Sequence, residues 1–299
     1  MNSNKLGVEQ MNRKILETKD LTFSYEEGRM ALNHLSVEIH EKEKIAVLGA
    51  NGAGKSTFFL NLNGVRAPEE GEIFLYETRI DKKNRRELIK NVGIVFQDAD
   101  SQIIASTVKA EVAFGPLNMK LPRQEVEERT IDAMERLDLQ AYAERPPHYL
   151  SGGEKKRVSI ADILAMDSPI IIFDEPTASL DPVNADMLER ILEELEQEGK
   201  TILLSTHDVD FAYRFADRAL VFCEGKLIAD GKPEDIFRDE EILKRANLKK
   251  PVLIQVYEML KRKNLLQRNP LPKDPLPKDM LPEKRESYPR TLAEIEALL

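Results

Sequence analysis

The clearest chemistry in the chain lies in nine consecutive residues, Gly49-Ala50-Asn51-Gly52-Ala53-Gly54-Lys55-Ser56-Thr57. They fit G-x-x-x-x-G-K-[ST], the pattern of a loop that cradles phosphates. Its glycines let the backbone fold into a nest whose N–H groups face phosphate oxygens. Lys55 would reach the β- and γ-phosphates, and the Ser56 hydroxyl would ligate Mg²⁺. A glycine-rich turn with a chance lysine has the same letters, so the context decides. Lys44-Ile45-Ala46-Val47-Leu48 ahead of the loop predicts a buried parallel strand. Thr57-Phe58-Phe59-Leu60-Asn61-Leu62 after it predicts a helix, whose N-terminal dipole favours an anion by about 0.3–1 kcal/mol. Strand, loop and helix together specify a nucleotide site.

Other residues suited to that site stand at predicted strand ends. Ile170-Ile171-Ile172-Phe173 is a continuous apolar run closed by Asp174-Glu175. Ligands of open α/β sheets bind beyond the carboxyl ends of strands. There Asp174 can hold Mg²⁺ through its water shell, and Glu175 can orient or deprotonate an attacking water. A helix cap is the plainer use of such a pair. Thr201-Ile202-Leu203-Leu204-Ser205 leads in the same way to His207, placed to contact a γ-phosphate. Tyr25, upstream of the loop, offers a ring for adenine, although taken alone it reads as a half-exposed strand aromatic. Ser151-Gly152-Gly153-Glu154 has capping-box spacing ahead of a basic helix. Each glycine costs roughly 1 kcal/mol against alanine inside a helix, a cost that makes sense where backbone must approach phosphate.

The elements that must position these groups follow from period and punctuation. Ile15–Thr18, Leu21–Tyr25 and Leu35–Ile39 predict strands, as do Gly71–Leu75 and Val92–Phe96. From Glu125 to Leu139 the period is helical, with Val126, Thr130, Ala133, Met134 and Leu137 on one face. Asp181-Pro182 opens a further helix by its cap and first-turn proline, with Leu188, Ile191, Leu192 and Leu195 as its buried stripe and Gly199 at its end. Asp217 to Gly231 predicts a hairpin turning at Glu224-Gly225. Beyond Pro233, Leu253, Val256, Tyr257 and Leu260 give an apolar helical stripe. Pro270–Asp274 and Pro275–Asp279 form a tandem repeat, an extended connector that could carry the final capped helix, Thr291–Leu299, to a second subunit.

Composition narrows the classes. Acidic residues outnumber basic ones 53 to 44 over 299 residues, a formal charge of −9 that disfavours broad nucleic-acid binding. The lone Cys223 excludes an internal disulfide framework, fits a reducing compartment and reads as a buried strand thiol. The start of the chain is polar and lacks the apolar core of a secretory signal. No stretch approaches the roughly 20 apolar residues of a spanning helix, so any membrane role is expected to pass through a partner.

Taken in order, the phosphate loop, Gln97, Leu150–Glu154, Asp174-Glu175, Ser179-Leu180-Asp181 and His207 resemble an ATP-binding-cassette ATPase. The Ser-Gly-Gly element discriminates, since phosphate loops and acidic strand ends occur in many NTPases. Ala113–Asn118, Arg145–His148 and Val252–Leu260 resemble, more narrowly, the cobalt/nickel branch of energy-coupling-factor importers. Glu154, where glutamine is common, and Asp162, at a usually small position, depart from the wider pattern.

The resemblance implies an α/β fold: a phosphate-loop NTPase core with a parallel sheet, an antiparallel β subdomain, a helical subdomain and a C-terminal helical extension. The cassette would span 14–237, with its helical part at about 98–165, and the extension 238–299 would serve dimerisation, with a proline-rich connector at 269–290. ATP and Mg²⁺ would be the ligands. Tyr25 would stack on adenine, residues 49–57 would hold the phosphates, and Gln97 would touch Mg²⁺ and the attacking water. Glu175 would act as the catalytic carboxylate and His207 as the γ-phosphate sensor. Ser151 and Gly153 would meet ATP on the opposite subunit of a homodimer, and Gly152 and Asp181 would also bind nucleotide. Integral-membrane transporter subunits would be partners and nucleic acid would not, which places the chain peripherally on the cytoplasmic face of the membrane. Cobalt or nickel would be the cargo, with a vitamin as alternative. A non-transport cassette ATPase and a phosphotransferase are the rival readings. The first usually needs two cassettes or a coiled-coil insertion, and the second has no use for Ser-Gly-Gly.

Overall fold

The apolar runs Lys44–Leu48 (β3) and Thr201–Ser205 (β8) form strands with the bounds read from the sequence, Ile170–Asp174 (β7) ends one residue short of the expected Glu175, and β7 and β8 are buried throughout. The computed structural model describes residues 13–26, 28–177, 181–266 and 288–299. The other strands are Lys14–Ser24 (β1), Met30–His40 (β2), Glu70–Leu75 (β4), Thr78–Arg79 (β5), Val92–Val95 (β6), Arg218–Cys223 (β9) and Lys226–Gly231 (β10). They form two sheets. One is antiparallel, in the order β2-β1-β4-β5, and the other runs β10-β9-β3-β8-β7-β6. In the second, β9, β3, β8, β7 and β6 are parallel and only the edge strand β10 is antiparallel to its neighbour. Burial on both faces explains the unbroken apolar letters of its central strands.

Register brings the chemistry together. Val47 pairs with Ser205, Ser205 with Asp174, and Phe173 with Val95. The residues that follow these strand ends, Gly49, His207, Glu175 and Gln97, therefore emerge along one edge of the sheet. Phe58 and Phe59 of the helix Lys55–Leu62 are fully buried in a core shared by the two sheets. A second core fills the space between the parallel sheet and the helices Arg123–Arg136, Gly152–Met166 and Pro182–Gln197. Val126, Thr130, Ala133, Met134 and Leu137 are all buried, as their spacing requires.

Two expectations need correction, and a choice the sequence left open is filled in. Ile15–Thr18 and Leu21–Tyr25 are one strand, β1, because Asp20 at φ 46° and a register shift between Thr18 and Leu21 absorb the interruption as a bulge. Cys223 sits at the end of β9, half-buried, its thiol donating to the Arg245 carbonyl at 3.3 Å. The tail closes on its own chain. The helix Val252–Arg262 drives Ile254 and Tyr257 into a third core with Ala46, Leu48 and Ala212, leaving Val256 and Leu260 only partly covered. Tyr288 joins that core with its ring edge-on to Tyr257 at 4.8 Å. Arg290 donates to the Ala216 carbonyl at 2.8 Å. The final helix, Leu292–Glu296, is capped by Thr291 and buries Ile295. The Pro270–Asp279 repeat lies outside the described residues, as do Ser179 and Leu180. Among the described residues no helix is long and apolar enough to cross a membrane.

Candidate functional site

The loop after β3 is shaped by backbone that tolerates no side chain at two places. A Cβ on Gly49 (φ 143°) would lie 2.3 Å from the Phe222 carbonyl oxygen, and one on Gly54 (φ 107°) 2.6 Å from that of Ala31. Only glycine fits either position. Lys55, 5% exposed, donates from Nζ to the carbonyls of Gly49 at 2.8 Å and Ala50 at 3.3 Å. Burial pushes its ammonium below the ordinary lysine range, while the Glu175 and Asp174 carboxylates pull the other way. A cavity of about 310 Å³ opens above the loop, lined by Tyr25, Asn51 to Thr57, Gln97 and Glu175. Tyr25 is tied into it by a hydrogen bond between its hydroxyl and Thr57 Oγ1 at 3.0 Å. Ser56 and Gln97 are exposed there.

The acidic strand end is held from its neighbour β8. Ser205 Oγ donates to Asp174 Oδ1 at 2.6 Å and accepts the Glu175 N–H at 2.8 Å. Glu175 has φ 46°, a left-handed conformation that is strained for a residue with a long side chain. The turn sends consecutive carboxylates to different places: Asp174 is 6% exposed within the sheet edge, and Glu175 reaches into the cavity. Glu175 Oε1 lies 2.9 Å from His207 Nε2 and 3.8 Å from Lys55 Nζ. Lys55, Glu175 and His207 thus converge within one chain.

The remaining candidates form a second cluster. Ser151 caps the helix Gly152–Met166, its Oγ accepting the Glu154 N–H at 3.3 Å while Glu154 Oε2 accepts the Ser151 N–H at 2.7 Å. That backbone bond holds the Glu154 carboxyl below its usual range. A Cβ on Gly153 would meet Asn184 Nδ2 at 2.4 Å. Asn184 donates to both carboxylate oxygens of Asp181, each at 2.9 Å, which also lowers the Asp181 carboxyl. Ser151, Gly152, Gly153 and Asp181 therefore belong together, but none of them lines the phosphate-loop cavity.

A family model described as "ABC transporter" matches residues 32–178. Over 252 residues the chain is 46% identical to the energy-coupling factor transporter ATP-binding protein EcfA of Methanocaldococcus jannaschii, covering 84% of this chain and 90% of that protein. The chain belongs to this family of energy-coupling factor ATP-binding proteins. It is a transport-coupled ATPase with the ABC ATPase fold. The EcfA protein of Methanothermobacter thermautotrophicus is 49% identical over 240 residues, 79% of this chain and 77% of that protein. Among solved structures, cbiO1 of Clostridium perfringens, described as part of the ABC transporter complex cbiONQ, superposes with a TM-score of 0.68 at 37% identity over 83% of this chain and 99% of its own. The cassette MJ0796, solved as a dimer bound to ADP and Pi, gives a TM-score of 0.66 at 29% identity, over 73% of this chain and 99% of its own.

The donor set of this ATPase suits Mg²⁺ that arrives with a nucleotide. Among the described residues there is no group of three or more His, Cys, Asp or Glu side chains that could hold a metal. Mg²⁺ usually takes only one or two protein ligands and completes its shell with phosphates and water, which matches an exposed hydroxyl at Ser56 and an exposed amide at Gln97.

Sequence reasoning missed two supports. Ser205 links both carboxylates, and its only signal is a hydroxyl closing an otherwise apolar strand. Lys156, within the basic start of the helix, is 5% exposed and donates to the Phe96 and Gln97 carbonyls. Burial pushes its ammonium down to about 8, against the pull of Asp174 and Asp98. Its spacing from buried Ile160 and Ile163 was the available clue.

Proposed function

We propose that this chain powers import of a transition-metal cation, cobalt or nickel, working as a homodimer beneath separate integral-membrane subunits at the cytoplasmic face of the membrane. The observation that carries the dimer is the division of the site. The phosphate-loop cluster and the Ser151–Gly153 cluster sit apart in one chain, so each needs a partner to complete a nucleotide sandwich. Gly152 sharpens the point. Among the described residues a Cβ there would meet nothing within 4 Å, so no contact with them requires the glycine. Gly153, by contrast, lies where a Cβ would press on the Asn184 side chain at 2.4 Å. A surface glycine without an internal reason fits an external one, the close approach of a second subunit's nucleotide.

In this reading Tyr25 stacks on adenine, and Gly49, Asn51, Gly52, Ala53, Gly54, Lys55, Ser56 and Thr57 hold the phosphates. Glu175 takes a proton from the attacking water, and His207, 2.9 Å from that carboxylate, aligns it and contacts the γ-phosphate. Ser56 and Gln97 would hold Mg²⁺, with Asp174 ordering its water, and the ion would neutralise charge on the β- and γ-oxygens. Ser151, Gly152, Gly153 and Asp181 close over the nucleotide of the opposite subunit.

The cargo reading is supported by Ala113–Asn118, Arg145–His148 and Val252–Leu260, and by likeness to a protein of the cbiONQ complex. Its test is co-purification of the chain with its membrane subunits, followed by ATP-driven uptake of Co²⁺, Ni²⁺ and vitamins in vesicles. Metal uptake that stops with Glu175→Gln is the expected result. Uptake of a vitamin and of neither metal would overturn the cargo assignment.

A further inference from the structure

We propose that Lys156 is a positioning residue for Gln97, fixing the backbone beyond β6 so that the seating of the Ser151–Gly153 cap is passed to the Gln97 side chain. Lys156 stands in the first turns of the helix that begins at this cap. Its Nζ donates to the Phe96 carbonyl at 2.6 Å and to the Gln97 carbonyl at 3.1 Å. A second strut runs from the same helix. Gln102 Nε2 donates to the Ser159 carbonyl at 2.9 Å and to Asp162 Oδ2 at 3.2 Å, while its Oε1 accepts the Phe96 N–H at 3.2 Å. Both backbone groups of Phe96 are thus held by one rigid element. Among the described residues nothing hydrogen-bonds the Gln97 side chain, so its backbone alone aims it into the cavity.

The charge is the telling feature. Taking an ammonium out of water is costly, and an apolar side chain of similar length would fill the place without that cost. Packing therefore accounts for the length of Lys156 but not for its head group. Two carbonyls that must be held while the helix moves do account for it. The Asp174 and Asp98 carboxylates are the opposing charges that act on it. A shift of the cap on meeting nucleotide would carry the lysine, and with it the Gln97 amide, toward the water that Glu175 activates. The inference rests on the reading above, in which the cap meets the opposite nucleotide and Gln97 touches the water.

The test measures ATP turnover of the full chain in a double-mutant cycle. Lys156→Met should lower kcat about 10²-fold with the ATP concentration at half-maximal rate nearly unchanged, since a misplacement of about 1 Å costs on that order. Lys156→Arg, which keeps the donors, should restore most of the rate. In a Gln97→Ala background, Lys156→Met should add little further loss. Full turnover in Lys156→Met, or losses that multiply independently in the Gln97→Ala background, would overturn the inference and leave the reading of Gln97 standing. Unchanged turnover in Gln97→Ala would remove Gln97 from the reaction and take the inference with it. Should Lys156→Met not fold, Gln102→Met cuts the other strut without touching a charge and is held to the same cycle and the same outcomes.

Discussion

The phosphate-loop cavity and the Ser151–Gly153 cap are both glycine-rich, yet Gly49 and Gly54 of the loop contrast with Gly152 of the cap. In the loop they make room for the chain itself, since side chains at Gly49 and Gly54 would collide with backbone oxygens of Phe222 and Ala31. The loop's polar groups are also engaged internally, with Lys55 on two carbonyls and Glu175 on His207. At the cap, Ser151 and Gly152 are exposed and Gly152 has open space around it. One region is closed on its own chain and the other leaves Gly152 facing open space, where the proposed counterpart would approach. Such a contrast teaches that a glycine is read by what surrounds it.

The largest effect should come from the closed region. Glu175→Gln keeps the shape and the loop but removes the proton acceptor, so turnover should fall by roughly 10²–10⁴ while ATP binding persists. Single-turnover hydrolysis alongside nucleotide-binding titration measures both. Near-normal turnover would strip Glu175 of its role. The second experiment tests whether the regions meet across subunits. Lys55→Ala and Ser151→Arg chains should each be inactive alone and regain activity when mixed, because the mixed dimer restores one intact site. Mixed dimers that form, as shown by differential tagging, and yet hydrolyse nothing would break the comparison.

How much of this was readable depends on whether the signal was local. The bounds of β3 and β8, and the start of β7, came directly from apolar runs closed by polar letters, because strands covered on both faces leave no other pattern. The meeting of Gly49, Gln97, Glu175 and His207 was legible from motif order, and register supplies its cause. Lys156 was not legible, since a lysine between a lysine and an arginine looks solvated unless the helix phase is weighed against it. The β1 bulge was hidden because Lys19-Asp20 reads as a turn between strands. The tail stripe was read in part: Tyr257 is buried and Leu253 packs against the core, but Ile254, outside the stripe, is the fully buried partner, chosen by a surface of the cassette that no local period encodes.

A third prediction separates the stability of the cap helix from the chemistry at its end. Asp162, on the helix Gly152–Met166, is raised to about 7 from 3.8, chiefly by burial, with the Gln102 hydrogen bond opposing. The folded chain therefore keeps this proton between those values while the unfolded chain releases it. Stability should fall as pH rises through that window and level off above about 7. Asp162→Asn mimics the neutral acid, so its thermal stability relative to the parent should improve from pH 5 to pH 8, by on the order of 1–3 kcal/mol. A difference that stays flat with pH would show that Asp162 is not titrating in the fold.

The smallest effect is the sharpest on the comparison itself. Gly152→Ala adds a methyl where the chain offers open space, at the first position of a helix, where alanine is the better former by up to about 1 kcal/mol. The isolated chain should therefore be as stable as the parent or slightly more so, as read by its melting temperature. Hydrolysis should nevertheless fall, because the new methyl points to where the opposite nucleotide is proposed to sit. Gly153→Ala is the control with reversed logic: its methyl would press on Asn184 at 2.4 Å, so it should lose stability whether or not a dimer forms. If Gly152→Ala hydrolyses ATP at the parental rate, the open space at the cap is only open space, and the case for a nucleotide approaching there falls.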